Sequence, residues 1–208
     1  MKRIFFIFLS LLFVAAYPVR AQIFLEVGGG YLTSFDNFNA FKHTNNGWQL
    51  CGTVFYKISE IVEAKTSFIY QSRIFAPKSF SFIVPAVAGI TVPIVSDGDN
   101  LKSFLIKVGG RLKPKSDKIV RTILDADVGI NFFQSGYYYL EGLNEGTRPS
   151  LPGIKYADSK ALFETSVGLG VEIKPMTNFS FIIEAKINYI PSTPNFYFPI
   201  ISNIRVGI

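Results

Sequence analysis

From Gln22 onward the chain alternates apolar and polar positions with a period of two, the repeat of β-strands that present one apolar face. On the face that stays apolar, Ile23, Leu25, Val27, Gly29 and Tyr31 predict a first strand, and Trp48, Leu50, Gly52, Val54 and Tyr56 a second. Val62, Ala64, Thr66, Phe68 and Tyr70 form a third, and Phe104, Ile106, Val108, Gly110 and Leu112 a fourth. The fifth carries Val120, Thr122, Leu124, Ala126, Val128, Ile130 and Phe132, and the sixth Phe163, Thr165, Val167, Leu169, Val171 and Ile173. Phe179, Phe181, Ile183, Ala185, Ile187 and Tyr189 give a seventh, and Ser202, Ile204, Val206 and Ile208 an eighth. No residue on these eight faces is charged.

The charges sit on the other face: Glu26, Glu63, Lys65, Lys107, Arg111, Arg121, Asp125, Asp127, Glu164, Glu172, Glu184, Lys186 and Arg205, seven acids against six bases. Alternation alone fits two arrangements. In a soluble sandwich or a secreted lipocalin-like binder the charged face meets water. In a membrane barrel it lines the lumen. The connections separate the two, because they alternate between short and long. Lys57 to Ile61, Pro114 to Lys118 and Pro175 to Asn178 are tight turns. Asp36 to Gly47, Ile74 to Asn100, Ser135 to Ala161 and Pro191 to Pro199 are longer links. An even number of strands, each long enough to cross hydrocarbon at a tilt, with short turns at one end and long loops at the other, predicts an eight-stranded, all-β, antiparallel up-and-down transmembrane barrel. Tyr31, Phe35, Trp48, Tyr70, Phe132, Phe163, Tyr189 and Phe198 fall near the long-loop ends, where amphipathic rings sit at headgroup level, and Tyr56 and Phe179 near the other rim.

The first 21 residues differ from the rest. Lys2 and Arg3 precede an uncharged run from Ile4 to Ala16, and Val19 and Ala21 supply small residues before a cut at Gln22. Pro18 and Arg20 end the run short of a transmembrane helix. Residues 1–21 are therefore expected to be a cleaved signal peptide and 22–208 the barrel domain. The whole chain has 21 Lys+Arg against 15 Asp+Glu. Removing Lys2, Arg3 and Arg20 leaves 18 bases, a mature charge of +3, so the pI of 9.3 is largely the leader's and argues little for nucleic acid. A composition 49% apolar and 17% charged excludes disorder. One Cys and one His exclude an intramolecular disulfide and a side-chain zinc site.

The start Gln22-Ile-Phe-Leu-Glu-Val-Gly-Gly-Gly-Tyr31, the recurring Val-Gly at Val27, Val108, Val128, Val167 and Val206, and Val167-Gly-Leu-Gly-Val-Glu-Ile-Lys174 resemble the small eight-stranded outer-membrane barrels. The likeness is to OmpA/OmpX-like proteins and especially to the β-barrel-domain or porin-family proteins of Bacteroidota-type bacteria. It covers essentially the whole mature chain. It implies a Gram-negative outer-membrane location, contact with outer-membrane lipids and passage through the barrel-assembly machinery. It implies no cofactor and no metal.

An eight-stranded barrel has a lumen just wide enough for side chains to fill, so the thirteen charges are expected to pair into a plug. The inward glycines Gly28, Gly30, Gly109, Gly129, Gly168 and Gly170 would make room for long side chains opposite them. Function is then expected in the loops, through a structural or surface-interaction role with an extracellular protein or glycan partner. Loop two holds Phe80 to Val95, sixteen uncharged residues interrupted by Pro85 and Pro93, which would fold over the mouth, extend the strands, meet a partner or form an extra hairpin. Loop three pairs Tyr137, Tyr138 and Tyr139 with Glu141, Glu145 and Arg148. A lipid-modifying enzyme would need a His base beside a Ser nucleophile. The sole His43 lies in loop one and Ser96-Asp97 in loop two, but Ser96-Asp97-Gly98-Asp99-Asn100 reads equally as turn chemistry or a weak cation site, and the expectation is a non-catalytic protein. Cys51 is expected to point inward with no base to activate it.

Overall fold

Segments rich in Val, Ile, Phe, Tyr and Thr at alternate positions take the extended conformation because branched and aromatic side chains pack well on a pleated surface. The computed structural model describes residues 23–34, 44–75, 79–83, 91–115, 119–134, 136–142, 154–176, 178–192 and 195–207. The expected signal segment 1–21, His43 and Phe35 lie outside them.

Eight long strands close into a barrel: β1 (Ile23–Ser34), β2 (Thr44–Lys57), β3 (Val62–Phe75), β6 (Leu101–Leu112), β7 (Val120–Phe133), β10 (Lys160–Met176), β11 (Phe179–Ile190) and β12 (Asn195–Gly207). The remaining four described strands are short: β4 (Ser79–Ile83), β5 (Thr91–Gly98), β8 (Gly136–Gly142) and β9 (Ile154–Ala157). Barrel neighbours are antiparallel and follow chain order, and β12 returns to β1, pairing Leu25 with Val206 and Tyr31 with Ile200.

The apolar faces point out and the charged faces point in. Val27, Leu169 and Val167 are each more than half exposed, whereas Glu26, Asp125 and Glu164 are buried. That polarity excludes a lipocalin-like binder, which would have the strands turned the other way. Closure also removes the unpaired edge strands that an open sheet would leave in hydrocarbon.

Near the long-loop rim the outward rings sit on neighbouring strands. Tyr31 pairs with Trp48 and Phe104 with Phe132, the Trp48 and Tyr70 rings are 5.5 Å apart, and Tyr189 stacks on Phe196 at 4.7 Å. Phe163 belongs to the same ring. Tyr56 and Phe179 lie half-buried at the turn end.

Three of the expected long loops change character. Pro191 to Pro199 is a short link, because β12 begins at Asn195 and pairs Phe196 with Tyr189. The proline that suggested a loop is instead accommodated in the wall. Pro199 has no N–H to donate, and the ladder to β11 lapses between Ile200 and Tyr197 while β1 still pairs Leu32 with Pro199. Loops two and three form the short strands. β4 and β5 make a hairpin, Ser79 opposite Val95 and Phe82 opposite Val92. β8 adds to β5, and β9 to β8, giving a four-stranded sheet in the order β4-β5-β8-β9.

This sheet prolongs one side of the barrel. β4 follows β3, β5 precedes β6, β8 follows β7 and β9 precedes β10, and β3, β6, β7 and β10 are neighbours in that order in the wall. The pairing order thus passes unchanged from wall to sheet. The segment Phe80 to Val95 adds a hairpin outside the barrel, and the wall keeps eight strands. Bridges hold the junction: the Asp99 N–H donates to the Tyr137 carbonyl at 2.8 Å, and the Phe75 N–H to Asn100 Oδ1 at 3.1 Å.

Candidate functional site: the charged lumen and its two mouths

The inward positions set by strand parity bring all thirteen sequence-chosen charges into the barrel interior, twelve of them buried and Arg121 half-buried. They form layers along the axis. In the middle, the Arg111 guanidinium bridges Glu26 and Asp125, donating from Nε to Asp125 Oδ1 at 2.7 Å and from Nη2 to Oδ2 at 3.0 Å, and lies 4.4 Å over the Phe55 ring. Lys65 pairs with Asp125 and with Asp127 at 2.9 Å. Lys186 contacts Asp127 at 3.2 Å, Glu184 at 3.3 Å and Asp125 at 3.6 Å. An unpaired ion so far from bulk water would cost several kcal/mol, so each of these charges makes the others tolerable.

Glycines opposite the long side chains create the space. Gly109 faces Lys65 on one neighbour and Asp127 on the other, Gly129 faces Lys107 and Glu164, and Gly168 faces Asp125 and Lys186. A Cβ on Gly129 would lie 2.7 Å from Lys107 Cγ, and one on Gly168 2.9 Å from Lys186 Cγ.

Toward the loop end the layer becomes mixed. Lys107 pairs with Glu164 at 2.6 Å and donates to Asn188 at 2.9 Å. Glu164 also accepts from Tyr197 Oη at 2.5 Å and from Asn131 at 2.7 Å. Gln71 donates to Gln49 at 3.1 Å and to Tyr197 Oη at 3.2 Å, and the Arg73 guanidinium lies 4.3 Å over the Tyr197 ring. Leu32, Leu101, Ile190 and Tyr197 then form a buried apolar cluster with Phe133 and Leu162 packed against it.

At the turn end the lumen is polar and holds a small cavity. Arg205 grips Glu63 with Nη1 at 2.8 Å and Nη2 at 2.6 Å, and Lys113 pairs with the same carboxylate. Arg121 donates to Glu172 at 2.7 Å, and Ser180 to Glu172 at 2.8 Å. Burial, with the neighbouring Arg205 charge, pushes the Lys113 ammonium in the turn after β6 down to about 8. On the outer turn surface, the hydrogen bond from Lys115 lowers the Glu60 carboxyl below its usual value.

Sequence reasoning missed Lys113, Arg73 and Tyr197, as well as the uncharged partners Gln49, Gln71, Asn131 and Asn188. Their signal was parity carried past the chosen strand ends: Arg73 continues the Glu63 and Lys65 series, Lys113 the Arg111 series and Tyr197 the Arg205 series. Cys51 points inward and donates to Asn203 Oδ1 at 3.2 Å. Ser96 and Asp97 are strand residues opposite Leu140 and Tyr139, so the Ser96 to Asn100 segment is a strand end and its link to β6. Among the described residues no group of three His, Cys, Asp or Glu is placed to hold a metal ion.

No family model matches the chain, and no curated protein matches it. Solved structures do. The chain is similar to a major outer membrane protein from Thermus thermophilus, with a TM-score of 0.58 and 12% identity over 90% of this chain and 99% of that one. It is also similar to Neisserial surface protein A, with a TM-score of 0.54 and 12% identity over 89% and 96% of the two chains. At this identity the likeness is one of fold, and the fold is that of an eight-stranded outer-membrane β-barrel.

Proposed function

We propose that the chain is an integral, non-catalytic protein of the bacterial outer membrane, exported through cleavage of residues 1–21, with a plugged lumen and its working surface on the sheet β4-β5-β8-β9. The membrane location is supported by the uncharged outward faces and their aromatic ring, a surface suited to hydrocarbon and not to water. The plug is supported by the interlocked pairs around Arg111, Lys65 and Lys186 and by the apolar cluster above them.

One observation carries the surface role: the wall's own pairing order continues past the rim as an open sheet. A closed barrel needs no such extension for stability. In the described residues its outer strands, β4 and β9, each have a partner on one side only, leaving backbone donors and acceptors available to an extracellular protein or glycan. Outer-membrane lipids and the barrel-assembly machinery are the partners required by insertion itself.

The test replaces residues 76–97 and 136–157 with short turns. The shortened barrel should still fractionate with the outer membrane and migrate differently on a detergent gel before and after boiling. It should lose binding of the expressing cells to host-protein and glycan arrays. Unchanged binding would overturn the surface role, and a soluble parent protein with no mobility shift would overturn the membrane assignment. Stable single-channel conductance of the parent in planar bilayers would overturn the plug.

A further inference from the structure

The turn-end mouth holds a cavity of about 70 Å³, room for more than one water molecule. Its walls carry the cations Lys57, Lys113, Arg121, Lys174 and Arg205. Among the described residues, the acids that face them are Glu60, Glu63 and Glu172. Glu63 is shared by Arg205 and Lys113, and Glu172 is taken by Arg121. Glu60 pairs with Lys115, 3.0 Å away on the exposed surface, and of the cavity's lysines it also feels the charge of Lys57.

Lys57 and Lys174 remain. Both are half-buried on the inward face, at the end of β2 and near the end of β10, and among the described residues neither pairs with a carboxylate. On the same wall, burial and then Arg205 repulsion depress the Lys113 ammonium. Asn178 and Ser180 add polar side chains to the wall.

We propose that this pocket binds a small oxyanion, a carboxylate or phosphate group, between Lys57 and Lys174. Its size admits one such group and its charge selects it over a neutral solute. With the sheet β4-β5-β8-β9 facing an extracellular partner, as proposed above, the short turns at the other end face the periplasm, so the group is either a free ion there or one borne by a periplasmic molecule.

The experiment uses the full-length barrel in detergent micelles, titrated with inorganic phosphate and with N-acetylglutamate against chloride at constant ionic strength, and followed by amide NMR. The expected result is a saturable shift confined to Lys57, Lys174, Asn178, Ser180 and their neighbours. The affinity should fall about tenfold or more in the double variant K57Q/K174Q, while K115Q leaves it unchanged. If the double variant fails to give the boiled-versus-unboiled gel shift, the single variants K57Q and K174Q carry the test, each with a smaller loss. Tighter binding of phosphate identifies a free ion as the natural occupant, and tighter binding of N-acetylglutamate a peptide-borne carboxylate. A shift that chloride reproduces, or one that survives removal of the two lysines, overturns the proposal.

Discussion

The two ends of the lumen are lined by opposite chemistry. At the loop end, Leu32, Leu101, Ile190 and Tyr197 bury their side chains against Phe133 and Leu162 directly above the last ion pair. At the turn end, the ion-paired Glu63, Lys113, Arg205 and Glu172 line a small cavity. An apolar layer lowers the dielectric around the charge pairs beneath it and strengthens them, whereas at the polar mouth the buried charges satisfy one another around a cavity. On the plugged-lumen reading proposed above, sealing falls to the loop end and binding to the turn end.

The largest effect tests the layer between the two ends. Arg111→Ala leaves Glu26 and Asp125 without their shared guanidinium, so it should cost about 3–5 kcal/mol in urea unfolding from lipid vesicles, followed by the single Trp48. A barrel of parental stability would mean that water reaches this layer freely and that the loop end does not seal it.

A smaller loss is expected at the lid. Leu101→Ala removes a side chain only 2% exposed and should cost about 3 kcal/mol. It should also speed hydrogen exchange at the Lys107 and Glu164 level. Equal exchange in parent and variant would remove the distinction between the ends.

The smallest effect belongs to the outer turn surface. Lys115 and Glu60 form a pair 3.0 Å apart with both side chains mostly exposed, and Lys115→Ala should leave the unfolding midpoint where it was. A measurable drop would show that charge on the turns is as tightly coupled as charge in the lumen.

Much of the barrel was legible because one rule generates it. A period of two assigns each residue to lipid or lumen, and that rule located Glu26, Lys65, Arg111, Asp125 and the other charges, together with the glycines opposite them. The rule failed where a local signal overrode it. Pro191 and Pro199 suggested a long loop, yet Tyr197 lies between them in a strand, because the wall tolerates a missing donor at one ladder position. Likewise the apolar stretch from Phe80 to Val95 left several foldings open, since the length and composition of a loop do not say which strand it will continue.

What the sequence by itself determined was which residues share a side of the wall, for that follows from adjacent backbone geometry alone. Only the tertiary structure decided that Arg111 bridges Glu26 on β1 and Asp125 on β7, that Glu63 serves both Arg205 and Lys113, and that loops two and three rise as one sheet. Such partners lie across the lumen or far apart in the chain. Their meeting depends on the register and shear of all eight strands at closure, a property no single segment carries.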